Sequence, residues 1–171
     1  MARQTSGNVD NDATWLNAKD AVFGLEMQLP WSRHLLEGRK SVEVRSYNLP
    51  PQLLGTKLYI LESQPGTDGV SALGDQIKLH HNVKIRGWCL FDAVKEYTTQ
   101  SDFEVDEGRH LVSPTSGYAW KEGSTQVLYG WIAKEYELIG DNTQITNHEA
   151  SHYKTAVRRK RSIFQLYKED L

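Results

Sequence analysis

Within six residues the chain places Lys40, Glu43 and Arg45: an amine, a carboxylate and a guanidinium. A lysine attracts a phosphate as a point charge, whereas an arginine grips phosphate or a base edge through two parallel donors. Glu43 can accept from an exocyclic amine or orient Arg45. Together they describe a site for an anionic ligand rich in hydrogen-bonding groups. Lys40 and Glu43 point opposite ways on an ideal strand, so they meet in one cleft only if Lys40 lies in the preceding turn. The plainer alternative is a solvated strand edge with a surface ion pair, worth ~0–1 kcal/mol.

Other residues could add to such a site. Trp31, Tyr47, Trp88, Tyr118, Trp120, Tyr129 and Trp131 exceed what a small core requires, although each taken singly reads as packing. Trp31 sits next to the cluster, and Trp120 lies in Gly117-Tyr118-Ala119-Trp120-Lys121, so these two are the candidates for stacking on a single-stranded base. Arg33 adds a cation near Trp31, and Lys154, Arg158 and Arg161 supply secondary phosphate contacts. His148-Glu149-Ala150-Ser151-His152 has the zinc-helix spacing, but it lacks apolar flanks and a third ligand, so no metal and no cofactor is expected. Glu149 reads instead as the acid of a capping box opened by Thr146. Cys89, the single cysteine, falls in an apolar strand pattern and reads as a buried, inert thiol.

The elements that must position the cluster are legible around it. Pro30 suits a first helical position and Gly38 the residue just past a helix, so residues 30–37 read as a short helix. Residues 40–46 then alternate, with Val42 and Val44 on one face and Ser41, Glu43 and Arg45 on the other. Strands are expected at 21–29, 57–62, 83–94 and 126–138, with a bulge or close backbone approach at Gly87. Residues 63–75 carry turn chemistry, and residues 98–117 read as a short helix with loops. Tyr153, Val157, Phe164 and Tyr167 fit one face of a C-terminal amphipathic helix over 146–171, beside a basic stripe of Lys154, Arg158, Arg161 and Lys168. Residues 1–20 read as a flexible N-terminal tail that docks through Trp15, and 21–145 as the domain proper. The expected class is therefore α+β, mainly antiparallel, with flanking helices and a C-terminal helix.

Composition narrows the partners. The 171 residues suit one domain with a real core. The net charge of −2 gives no global attraction to nucleic acid, but residues 146–171 hold six Lys/Arg against three Asp/Glu. A nucleic-acid surface must therefore be a local patch. No apolar run approaches the roughly 18 residues of a membrane span, and the N-terminus lacks a signal-peptide core. The reading is an intracellular protein, cytoplasmic or nuclear, with Arg158-Arg159-Lys160-Arg161 open to use as an import signal or a phosphate contact.

The run from Pro30-Trp31 through Gly38-x-Lys40-x-x-Glu43-x-Arg45 resembles the signature of the ASCH domain (activating-signal-cointegrator homology). The resemblance continues through Gly55-Thr56-Lys57-Leu58-Tyr59-Ile60, Ile85–Asp92 and Leu128-Tyr129-Gly130-Trp131. It implies a small PUA-like β-barrel with a nucleic-acid or nucleotide cleft beside the Lys/Glu/Arg motif. Some ASCH proteins are amidohydrolases of acetylated cytidine, with a threonine nucleophile three residues after a lysine matching Lys40. That position is Glu43 here, which has no hydroxyl to activate. The leading expectation is thus a binding module for RNA, single-stranded nucleic acid or a nucleotide. The alternatives are a hydrolase of a modified nucleoside or RNA, with Lys40 and Glu43 as acid–base pair, and a protein-interaction adaptor using the terminal helix.

Overall fold

Alternation of apolar side chains sets the architecture, because strands buried on both faces can feed two cores at once. The computed structural model describes residues 14–66, 69–140 and 148–171. Its strands are β1 (Val22–Gln28), β2 (Val42–Arg45), β3 (Lys57–Ser63), β4 (Gln76–Lys78), β5 (Lys84–Tyr97), β6 (Leu128–Leu138), β7 (Thr155–Lys160) and β8 (Ile163–Tyr167). Its helices are α1 (Trp31–Leu36), α2 (Gln100–Val105) and α3 (Glu107–His110). The strands join in one sheet of order β2-β6-β5-β3-β1-β8-β7-β4. Only β1 and β3 pair in parallel among the described strands; the other neighbours are antiparallel. No described helix is long and apolar enough to cross a membrane.

In β3, Leu58 and Ile60 enter a core with Phe23, Leu25, Leu35, Phe91 and Trp131. Tyr59 and Leu61 enter a second core on the other face, with Ile85, Tyr153, Phe164 and Leu166. A third cluster, of Tyr97, Phe103, Val112, Trp120 and Leu128, lies beneath α2 and α3. The sheet curls so far that its first strand, β2, returns to the middle. Arg45 bridges the remaining seam, donating through Nη1 to Ser162 Oγ and through Nη2 to the Glu26 carbonyl, both at 2.9 Å.

The helix expected at residues 30–37 and the strands expected around 21–29, 40–46, 57–62, 83–94 and 126–138 are present within a few residues of those bounds. The C-terminal helix is not. After a 3₁₀ turn over Glu149–His152, the described part of residues 146–171 forms the β7–β8 hairpin. Ala156, Phe164 and Leu166 are buried there, and hydrogen-bonded pairing with β1 and β4 overrides the helical spacing of Tyr153, Val157, Phe164 and Tyr167. The flanking helices have six residues or fewer, so the fold is mostly sheet. His148 caps the 3₁₀ turn, its Nδ1 accepting from Ala150 N; the capping role expected of Thr146 lies outside the described residues. Of the tail expected at residues 1–20, residues 1–13 also lie outside them, while Thr14–Asn17 form a 3₁₀ turn from which Trp15 packs edge-on against Phe23.

Gly87 marks a bulge in β5. Ile60 pairs with Gly87 and Leu61 with Ile85, which leaves Arg86 as the extra residue. Arg86 thereby reaches Glu62, whose Oε1 accepts from its Nε at 2.9 Å while Oε2 accepts from Ser32 Oγ and Arg33 Nε, both at 2.8 Å. That carboxylate anchors α1 to β3 and β5. A Cβ on Gly87 would stand 2.1 Å from the Glu137 carbonyl oxygen. Gly87→Ala is therefore expected to destabilise the fold by about 1–3 kcal/mol in urea denaturation, the usual cost of overpacking. An unchanged midpoint would show that β5 and β6 can separate there freely.

Candidate functional site

A cavity of about 540 Å³ opens beside β2. It takes Glu43 and Arg45 from one face of that strand and Val44, with Val112 and Leu128, from the other. Alternating residues point to opposite faces, so a cavity touching both lies off the strand's edge. Gly38, with φ +78°, ends α1 and turns the chain so that Lys40 precedes β2. Lys40 N donates to the His34 carbonyl at 2.9 Å, which fixes that turn. This is how Lys40 and Glu43 reach the same cavity.

The Lys40 ammonium lies directly against Glu43 Oε2, and Arg45 Nε donates to Glu43 Oε1 at 3.1 Å. Lys40 is 3% exposed and Glu43 6%. Burial alone would raise the Glu43 carboxyl, but the Lys40 and Arg45 charges and their hydrogen bonds hold it below its ordinary value. Burial is the largest influence on Lys40 and pushes it down, Glu43 pulls it up, and Arg45 adds like-charge repulsion, so that the balance lies below the ordinary lysine value. Two cations share one carboxylate, so the weaker base of the two carries the strain. The Lys40 Nζ also stands 4.9 Å from the Trp31 ring centroid, and Arg45 lies 5.8 Å from that of Trp131.

Trp31, Lys40, Glu43, Arg45 and Tyr47 line this cavity, together with Arg158 and Arg161. Three expected residues lie elsewhere. Arg33 is paired with Glu62 behind α1. Trp120 is 8% exposed and packs in the third cluster, so it is no stacking surface. Lys154 donates to the Ser151 carbonyl at 3.1 Å and is not a lining residue. The basic stripe is not a stripe either. Lys168 sits 6.0 Å from the Tyr153 ring centroid, and Arg158 turns toward the loop before β4, donating to Ser71 Oγ, Leu73 O and Gly74 O and pairing with Asp75 at 3.1 Å. Arg161 is exposed and donates to Ser46 Oγ at 2.9 Å above the Tyr47 ring.

Sequence reasoning missed Tyr118, Glu26 and Ser71. Tyr118 lines the cavity two residues before Trp120, edge-on to Trp31 with centroids 6.0 Å apart. Tyr118 rather than Trp120 is thus the aromatic that this segment presents to the cavity. Glu26 is 4% exposed, and its carboxylate accepts from Ser63 Oγ, Ser71 Oγ and Ala72 N. A charged residue inside the apolar run of residues 21–29 was its signal. Among the described residues no group of His, Cys, Asp and Glu is placed to hold a metal ion. Cys89 is buried, and burial beside Glu43 pushes its thiol well up, which makes it inert.

Glu43 has a folded pKa below its unfolded value, so the stability it contributes is present above the ordinary carboxylate range and is lost as pH falls through the folded value. Glu43→Gln leaves two buried cations without their anion and is expected to cost about 3–5 kcal/mol at neutral pH. Its urea midpoint should also vary less with pH in the acid range than the parent's. Equal stabilities at pH 7 would mean that water already screens the cluster.

No protein-family model matches the sequence. No curated protein matches it either. Solved structures do. The crystal structure of ASCH from Zymomonas mobilis superposes with a TM-score of 0.52 at 13% identity, covering 85% of this chain and 87% of that one. A tyrosine-to-phenylalanine mutant of the same protein gives 0.53 at 14% identity, covering 85% and 90%. A serine-to-alanine mutant gives 0.52 at 12%, covering 85% and 88%. At such low identity the agreement over most of both chains concerns the path of the backbone. The chain has the ASCH-domain fold.

Proposed function

We propose that the cavity beside β2 holds one nucleotide, either free or as part of RNA or single-stranded nucleic acid, and that the protein is a binding module. The observation that carries this reading is the pairing, in one cavity, of a cationic cluster with an aromatic wall. Lys40, Arg45 and Arg161 supply positive charge, and Trp31 and Tyr118 supply ring faces and edges. A volume near 540 Å³ is within the usual range for small-molecule sites. Base stacking on aromatics with phosphate neutralisation nearby is the general mode of single-strand recognition. The likeness to ASCH domains points the same way.

A second reading has one observation in its favour. A buried amine driven below its ordinary pKa and held against a carboxylate is arranged for proton transfer, as in a hydrolase of a modified nucleoside. Against it, the residue three after Lys40 offers no hydroxyl. Turnover of acetylated cytidine or of RNA would select the hydrolase. The adaptor reading loses its carrier, since the terminal segment is the β7–β8 hairpin within the sheet.

Fluorescence titration with short oligocytidylates tests the binding module. Arg161 is exposed, so Arg161→Gln leaves the fold intact. It should cost about 1.5–3 kcal/mol of affinity, the worth of a charge-assisted hydrogen bond. It should also flatten the salt dependence by up to ~0.7 in log–log slope. With the folded Lys40 pKa below 10.5, its charge is lost at lower pH than an ordinary lysine's. Affinity for a phosphate-bearing ligand should accordingly fall as pH rises, before 10.5 is reached. Absence of salt-dependent binding to any nucleotide would overturn the proposal.

A further inference from the structure

β2 ends the sheet, and its free edge can be read residue by residue. Ala133 N donates to the Ser41 carbonyl at 2.9 Å, and this bond sets the phase of the ladder, in which 43–131 and 45–129 are the hydrogen-bonded pairs. The register from Val42↔Ile132 to Arg45↔Tyr129 is unbroken. Hydrogen-bonded and non-hydrogen-bonded pairs alternate, so Glu43 and Arg45 direct their main-chain groups at β6, whereas Val42 and Val44 direct theirs away. At the Val42 end the edge is covered, because Val42 is fully buried, whereas Val44 is half-buried and lines the cavity. Beyond Val44 the Arg45 guanidinium crosses to Glu26 and Ser162. Among the described residues no other element supplies a partner to the N–H or C=O of Val44. The cavity lies off this same edge.

A single extended residue with its N–H and C=O on one side presents a donor beside an acceptor. The Watson–Crick edge of every base carries the matching acceptor and donor, and in a duplex that edge is already used. We infer that the main-chain N–H and C=O of Val44 read the Watson–Crick edge of one unpaired base, which selects single-stranded over duplex ligands. The inference rests on the nucleotide reading above. The accessible part of the edge is Val44 alone, with Val42 buried on one side and the Arg45 guanidinium crossing on the other, which is too short for an added peptide strand, where several successive main-chain bonds supply the affinity.

Uridine 5′-monophosphate and its 3-methyl derivative are the probes, with amide exchange followed by NMR on the full chain. In the free protein the Val44 amide should exchange faster than those of Glu43 and Arg45, and uridine monophosphate should slow it. The 3-methyl compound lacks the donor and should bind at least about tenfold more weakly, the scale of one unsatisfied buried polar group. Replacing Val44 by its α-hydroxy acid removes the N–H but keeps the side chain, and should weaken uridine monophosphate by a similar factor with an unchanged circular-dichroism spectrum. Equal affinity for the two monophosphates, or a Val44 amide already protected in the free protein, overturns the main-chain assignment alone. Protection of Val44 by an extended peptide and not by nucleotides assigns the edge to strand addition and also overturns it. Binding of oligocytidylate without uridine monophosphate overturns the main-chain assignment, and failure of uridine monophosphate, oligouridylate and oligocytidylate alike to bind overturns the nucleotide reading itself.

Discussion

The Glu43 carboxylate, shared between Lys40 and Arg45, is the interaction on which the arrangement around the cavity depends. Arg45 cannot bridge the seam of the sheet unless its own charge is met on the β2 side, and Glu43 meets it there. Lys40 completes the cluster from the turn after α1, which ties that helix's exit to the sheet edge. An ion cluster this buried gains little over apolar packing, because desolvation offsets most of the attraction. What it provides is position: three charged groups held at fixed points on the wall of a cavity, with two formal positive charges to one negative.

The second ion cluster shows the opposite use of the same chemistry. Glu62 accepts from Ser32, Arg33 and Arg86 and lies away from the cavity. Its three partners come from α1 and β5, so the cluster is a joint between elements. Arginine beside tryptophan in Trp31-Ser32-Arg33 therefore reads as a ligand cation in the sequence and serves as structural glue in the fold.

Much around the motif was legible because local chemistry and tertiary context agree there. Pro30, Gly38 and the Val42/Val44 alternation specify helix, turn and strand without help from distant residues. Gly87 announced its bulge because only glycine tolerates the Glu137 carbonyl so close. The terminal segment was not legible, since Val157 and Phe164 stand seven residues apart, a spacing that fits two helical turns as well as two strands around a bend. The bend itself carries no glycine or proline: Arg161 takes it at φ +55°. The choice between Tyr118 and Trp120 depended on which side of an irregular loop meets the third core, and no periodicity reports that.

The way Arg158 holds the loop before β4 bears on how this protein can change over evolutionary time. Two of the acceptors it uses there are main-chain carbonyls, those of Leu73 and Gly74. Carbonyls are present whatever residue occupies the position. The exposed positions 72 and 74 are consequently free to drift while the strap keeps its path, although Leu73 stays tied to the second core. Diversity can accumulate on the outer surface of the cavity's wall without loosening the wall.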